Sequence, residues 1–202
     1  MTTSYENNRV EELKKFLAPH FERFNELGVY YWVSGGAILS FFIGQEPNDI
    51  DVYFPTKKIA DQAVGLLKKK GFKTEHEWEN NRVLKNSELV YDVIHEFNNP
   101  NQIFQNSDYT ICMSYLDCKG KWKCHQDYFT DLNSRKIVRN HEYIENRSKI
   151  KKMYAIAEIK RLLKIVNKGF SIDSDNLKIF LEDNRDIILS EYEYVEKIKN
   201  LD

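Results

Sequence analysis

Residue types suited to phosphate chemistry gather in one stretch of the chain. It runs Trp32-Val33-Ser34-Gly35-Gly36-Ala37-Ile38-Leu39 and closes with Gly44-Gln45-Glu46-Pro47-Asn48-Asp49-Ile50-Asp51-Val52-Tyr53. Two carboxylates at i and i+2 of a strand project from the same face, so Asp49 and Asp51 are placed to share one or two Mg²⁺ ions, with Mn²⁺ as the substitute. Ions held there would bridge a triphosphate and stabilise the attacking and leaving oxygens of an in-line transfer. Two glycines between a strand and a helix let backbone approach phosphate closely, and a helix N-terminus directs N–H groups at it. Gly35 and Gly36 are therefore the expected phosphate-binding turn, and the Ser34 hydroxyl adds a donor. Either half alone is weak, since Gly-Gly is usually a turn and Asp-x-Asp often a strand end. Apolar residues flank both halves, however, and ionised aspartates beside a buried strand are costly unless paired or metal-bound.

These residues need elements to position them. Val10, Leu13, Phe16, Leu17, Phe21, Phe24 and Leu27 recur at helical spacing, which predicts an amphipathic helix ending at Gly28 and kinked or interrupted at Pro19. Val29 to Val33 reads as a buried strand, with Tyr30, Tyr31 and Trp32 as core. Ala37 to Ile43 reads as a short helix, and Asp49 to Phe54 as a strand with Ile50, Val52 and Phe54 on its apolar face. A helix from Pro55-Thr56 stops at Gly71, and strands follow around Phe72 to Glu77, Arg82 to Lys85 and Leu89 to Ile94, with Asn80-Asn81 as a turn. A helical turn is expected over Gln102 to Phe104. A strand is expected from Tyr109 to Leu116, with Tyr109 and Tyr115 on one face, then a hairpin at Lys119-Gly120.

From about Asn146 the periodicity is helical, with no strand signal. Ile150, Met153, Ile156, Ala157, Leu162 or Leu163 and Val166 line one face up to Gly169-Phe170, and Leu177, Phe180 and Leu181 begin another helix. The expected organisation is an α+β head over residues 1–143, a mixed sheet packed with helices, followed by a small helical region over 144–202.

Bulk properties bound the function. The 202 residues carry a net charge of -1, with 42% hydrophobic and 30% charged residues, as in an ordinary globular protein. No stretch approaches the roughly 20 apolar residues that cross a bilayer, so no membrane partner is expected. The polar stretch Met1 to Asn8 lacks the apolar core of a signal peptide, and Cys112, Cys118 and Cys124 lack paired spacing; both suit the cytoplasm. Cys118, Cys124 and His125 do not have zinc-knuckle spacing, and His20, His76, His95 and His141 have no Ser or Cys partner for a triad. One basic block stands out: Arg147, Lys149, Lys151, Lys152, Lys160, Arg161, Lys164 and Lys168, with Glu158 as the single acid. It is either a track for RNA phosphates or a solvated helix face.

The Gly-Gly to Asp-x-Asp stretch resembles the motif of the polymerase-beta nucleotidyltransferase superfamily, in particular the head domain of bacterial-type tRNA CCA-adding enzymes and poly(A) polymerases. Gly35, Gly36, Gly44, Pro47, Asp49 and Asp51 fall in register with it. Ser107-Asp108-Tyr109-Thr110-Ile111 resembles the family's Arg-Asp-Phe-Thr-Ile segment, Asp131-Leu132 with Ile137-Val138-Arg139 its later turn, and Glu158 to Phe170 the helix after the head. The resemblance covers about residues 25 to 170. It implies transfer of a nucleoside monophosphate from an NTP to an acceptor hydroxyl with release of pyrophosphate, an RNA or tRNA 3′ end being the favoured acceptor. It also implies a third carboxylate from a neighbouring strand, for which Asp92 in Leu89-Val90-Tyr91-Asp92-Val93-Ile94 is the candidate, and a structural or nucleotide-positioning role for Asp108.

The chain also departs from that pattern. Leu39-Ser40 stands where the family has Arg-Asp, which leaves Ser40 as the polar residue on the nucleotide side. Asn106-Ser107 replaces a nucleotide-contacting arginine, and the family's nucleotide-selecting helix is echoed only by Arg147, Lys149 and Lys152. The resemblance therefore carries the metal chemistry and not the base selection, and CCA addition is not implied. A small-molecule- or protein-modifying enzyme of the toxin type, and a non-catalytic nucleotide- or RNA-binding protein, stay open beside the RNA-directed transferase.

Overall fold

A computed structural model describes residues 4–140, 153–182, 184 and 185. Its contacts group the chain into two compact units, residues 1–104 with 112–128 and residues 105–111 with 129–202. The boundary read near residue 143, and the stretch 144–152 after it, lie outside the described residues.

The first unit is built on a mixed seven-stranded sheet. Its strands are β1 (Trp32–Ser34), β2 (Ile50–Tyr53), β3 (Lys73–Glu77), β4 (Asn81–Lys85), β5 (Val90–Ile94), β6 (Ser114–Asp117) and β7 (Trp122–Cys124), in the order β3-β4-β5-β2-β1-β6-β7. Only β2 and β5 run parallel; every other pair is antiparallel. Helices α1 (Ser4–Glu22), α2 (Gly36–Phe42) and α3 (Lys57–Lys69) belong to the same unit. Thr56 caps α3, its hydroxyl accepting the Ile59 amide at 3.3 Å.

Alternation along the strands assigns each sheet face a role. Val33, Val52, Tyr91, Val93, Leu84 and Leu116 point into the main core, which also takes Leu13 and Leu17 of α1 and Ala63 and Leu67 of α3. The opposite face carries Ser34, Asp51 and Asp92. It has its own small cluster of Trp32, Ile103 and Tyr115, with Tyr53 stacked between Trp32 and Phe97. Tyr31 and Trp32 are core as expected, and Tyr30 is half-buried.

Several local expectations are corrected. Helix α1 runs through Pro19 without interruption and ends at Glu22 rather than at Gly28, followed by a 3₁₀ turn over Asn25–Leu27. The first strand is shorter than Val29 to Val33 and includes Ser34. Asn81 is in β4, with the turn ahead of it. Tyr109 to Leu116 is not one strand: Thr110–Cys112 is a 3₁₀ turn and β6 begins at Ser114. Tyr109 and Tyr115 consequently lie in different units.

The second unit explains that break. The Thr110 amide bonds the Val138 carbonyl at 3.0 Å, the Thr110 hydroxyl donates to Asp131 at 2.6 Å, and the Asn140 side chain donates to the Ser107 carbonyl at 2.8 Å. These bonds hold residues 107–110 against 138–140 and take the segment out of any sheet run. α4 (Gln102–Asn106) and α5 (Tyr128–Asn133) flank the unit's boundaries in sequence, and α6 (Met153–Val166) and a helical stretch over 174–182 follow. Where no strand was expected, β9 (Ser171–Ile172) pairs in parallel with β8 (Lys136–Ile137).

On α6 the expected Leu162 is buried and the expected Val166 is not, while the burial of Ile150, Met153, Ile156 and Ala157 lies outside what is described. Leu162 and Ile165 are buried with Glu158, while Leu163 and Val166 are exposed. Glu158 shares the buried face because it forms an ion pair with the guanidinium of Arg139, whose side chain is 1% exposed. Arg139 also lies 5.3 Å over the Phe180 ring. Removing one partner of a buried pair costs about 3–5 kcal/mol. Glu158→Ala is therefore expected to lower the urea-unfolding free energy by about that amount, and a loss under about 1 kcal/mol would show that the pair does not stabilise the unit.

Candidate active site

The sheet register brings the sequence-predicted acids together. Asp51 of β2 is flanked by Ser34 of β1 and by Asp92 of β5, so all three share one face on adjacent strands. Asp49 directly precedes β2, at the alternate position to Ile50, which is 2% exposed in the core.

Gly35 makes room for Asp51. Its φ of 81° and ψ of -142° lie in a region reserved for glycine. A Cβ placed there would overlap the Asp51 carboxylate oxygen Oδ2, whereas one at Gly36 would meet nothing within 4 Å. The Gly36 amide donates to the same Oδ2 at 3.4 Å. The two glycines thus have different duties: Gly35 supplies conformation and space, and Gly36 supplies an amide.

That difference is testable. Gly35→Ala is expected to lower stability by roughly 1–3 kcal/mol from backbone strain alone and to remove Mg²⁺-dependent NTP binding, because Asp51 must move. Gly36→Ala should change stability by less than about 1 kcal/mol. Thermal unfolding and calorimetric titration of the two variants check this, and equal behaviour of both would refute it.

Asp92 lies where an acid is electrostatically uncomfortable. The Asn81 side chain donates to its Oδ2 at 3.0 Å, while its Oδ1 is buried without a hydrogen-bond partner among the described residues. Burial, and to a smaller degree the nearby charge of Asp49, push its carboxyl up to about 6 against the opposing hydrogen bond from Asn81. Asn81 was not apparent from the sequence, where Asn80-Asn81 carried only a turn signal.

The remaining predicted residues have other situations. Ser34 is 2% exposed and donates its hydroxyl proton to the Ser114 carbonyl at 2.6 Å, so it ties β1 to β6 and does not offer that proton to a phosphate. Ser40 is buried in α2 at 1% exposure, beside Ala37, Ile38 and Leu39 in sequence. Asp108 belongs to the second unit, is 1% exposed and has Arg161 at 3.1 Å. Arg161 of the basic stretch is thereby engaged, and Lys160 and Lys164 are exposed. Arg147, Lys149 and Lys152 lie outside the described residues.

The donor set fits a hard divalent cation. Among the described residues no three His, Cys, Asp or Glu side chains are gathered into a ready-made cage. Mg²⁺ in nucleotide sites takes one or two carboxylates and completes its octahedron with substrate phosphates and water, so no such cage is required. The buried Asp92 oxygen without a hydrogen-bond partner among the described residues, opposite Asp51 on the neighbouring strand, is chemically suited to accept a cation. Among the described residues no helix is long and apolar enough to cross a membrane.

Comparison with known proteins agrees with this architecture. A CCA-adding enzyme in complex with ATP superposes with a TM-score of 0.63 at 15% identity, covering 90% of this chain and 45% of that one. The Thermotoga maritima CCA-adding enzyme complexed with tRNA gives 0.60 at 15% identity, covering 92% and 43%. A tRNA nucleotidyltransferase complexed with a primer tRNA and an incoming ATP analogue gives 0.59 at 16%, covering 85% and 51%. The chain therefore has the nucleotidyltransferase fold seen in those enzymes. In sequence it is 26% identical over 165 residues to a protein of Bacillus phage SPbetaL7 named Gabija anti-defense 2, and it spans 39% of that relative's length. The resemblance to CCA-adding enzymes thus holds for the fold, while the family is a more specific one: the Gabija anti-defense 2 (Gad2) family model matches residues 5–135, and this chain belongs to that family.

Proposed function

We propose that the chain is a metal-dependent nucleotidyltransferase that moves a nucleoside monophosphate from an NTP to an acceptor hydroxyl. The observation that carries this reading is the side-by-side placement of Asp51 and Asp92 on one sheet face, with the Asp51 carboxylate seated against the Gly35-Gly36 turn. Phosphate cradle and carboxylates then occupy consecutive strands.

The steps follow from these residues. Asp49 and Asp51 would hold Mg²⁺, with Asp92 completing the oxygen set or acting as base. When bound, the metal supplies positive charge to the triphosphate oxygens. The Gly36 amide, and the unobstructed approach at Gly36 where a Cβ would meet nothing within 4 Å, would position the phosphates. Asp92, with an affinity for protons raised by burial, accepts the proton of the acceptor hydroxyl as its oxygen bonds to the α-phosphorus. The bond from that phosphorus to the bridging oxygen breaks, and pyrophosphate leaves with the electron pair.

An RNA 3′ end is the favoured acceptor, in keeping with the tRNA-bound neighbours of the fold. A second reading takes its support from the relative's name: the acceptor is a component of a bacterial defence system, a protein included. Incubating the chain with labelled NTPs, Mg²⁺, total RNA and cell protein separates them by where the label goes. Label on RNA that disappears for the Asp49→Ala/Asp51→Ala double variant supports the first reading, and label on protein supports the second. NTP binding that ignores Mg²⁺, with no label on either, would instead identify a non-catalytic binding protein.

A further inference from the structure

The face that carries the carboxylates continues beyond them to an exposed aromatic pair. From β1 outward, the register runs Ser34, Asp51, Asp92, Val83 and His76, each opposite the next on neighbouring strands. Residues directly opposite one another share a face, so His76 lies on the carboxylate side at the β3 edge. Trp78 follows two positions later, its amide bonded to the Asn81 carbonyl at 2.9 Å, and its ring contacts that of His76 at 5.4 Å. The Trp78 side chain is 55% exposed, His76 is exposed, and Val83 and Asn81 between them and Asp92 are half-exposed. With strands about 4.8 Å apart, the pair begins roughly 10 Å from Asp92. The same hairpin holds Asp92 directly through Asn81 at 3.0 Å.

This order has a chemical direction. In-line displacement puts the attacking oxygen opposite the departing pyrophosphate. With the triphosphate cradled at the glycine turn beside β1, the acceptor hydroxyl comes in on the Asp92 side, and the rest of the acceptor extends toward β4 and β3. A ring there meets Trp78 and His76, and an exposed indole is a stacking surface for any nucleobase.

We propose that Trp78, with His76 beside it, is the platform on which the acceptor's terminal nucleobase stacks, making the acceptor a single-stranded nucleic-acid 3′ end. This rests on the transferase reading for its orientation. Trp78 is a positioning residue that does not touch the reacting atoms. It holds the acceptor base so that the terminal hydroxyl reaches Asp92.

The test uses the full chain without NTP and a short single-stranded oligoadenylate ending in 2-aminopurine. Wild type and Trp78→Phe are expected to quench the 2-aminopurine fluorescence, and Trp78→Ala to bind about tenfold more weakly, the share expected of one stacked base. In transfer assays Trp78→Ala should raise the acceptor KM by a similar factor and leave the NTP KM unchanged. Because the side chain is exposed, the thermal unfolding of Trp78→Ala should match wild type, which separates lost stacking from lost fold. Absence of quenching by wild type, equal quenching by Trp78→Ala, or a rise in the NTP KM in place of the acceptor KM would each overturn the platform. Trp78-dependent quenching in a protein that transfers nucleotide to nothing would keep the platform and reject the transferase. Transfer to RNA with an unaltered acceptor KM in Trp78→Ala would do the reverse.

Discussion

Asp51→Asn is expected to fold as the native chain does and to lose nucleotide transfer by on the order of a thousandfold or more, because metal-borne charge stabilisation is worth several kcal/mol in the transition state. The substitution preserves shape. An amide oxygen can still accept from the Gly36 N–H that now meets Oδ2 at 3.4 Å, and it fills the space left by Gly35. What it removes is the negative charge, so Mg²⁺ and the triphosphate lose their anchor together. Steady-state transfer with labelled NTP, alongside calorimetric Mg²⁺-dependent NTP binding, measures both. Transfer within tenfold of wild type would rule out the two-acid metal site.

Asp92→Asn is expected to act in opposite directions on activity and stability. A positioned general base contributes about 10²–10⁴ in rate, and that factor should be lost. Stability should rise. The carboxyl is held at about 6, against 3.8 for a free group, so the folded state binds its proton more tightly than the unfolded chain. Wherever the folded state binds more protons, stability falls as pH rises, here between about pH 4 and 6, and the whole penalty is present above that window. Asparagine has no such penalty and can still accept from Asn81.

In EDTA, Asp92→Asn should therefore exceed wild type by about 1–3 kcal/mol at pH 7.5, converging with it near pH 4. Mg²⁺ with NTP should raise the melting temperature of both proteins, because Asp49 and Asp51 remain in the variant. A variant less stable than wild type at pH 7.5 would mean that Asp92 is a structural residue, satisfied in its surroundings. For wild type the same proton affinity predicts that transfer falls as pH drops below about 6, as the base becomes protonated.

Much of the first unit was legible because its signals are local. Alternation at Ile50, Asp51, Val52 and Tyr53 sets which side chains go inward whatever the strand pairs with, and Thr56 and Gly71 bracket α3 through chemistry within one turn of each end. The acids and glycines stood out because residue type and fixed spacing are the features that metal and phosphate binding require. Local signals failed where a distant partner won. Thr110, β-branched beside Ile111, reads as strand, yet its amide and hydroxyl are taken by Val138 and Asp131. Glu158 counted as a surface charge until Arg139 met it in the second unit.

The amino-acid sequence by itself determined that this chain has a glycine turn, a pair of acids at strand spacing and the fold family that carries them, since those depend on neighbours a few residues away. Only the tertiary structure decided that Asp92 stands beside Asp51, that Gly35 is hollow because Asp51 fills its place, and that Asn81 and Trp78 belong to the same face. Those facts depend on strand order and register across the sheet. Register is a property of pairing between distant segments, and no single strand carries it.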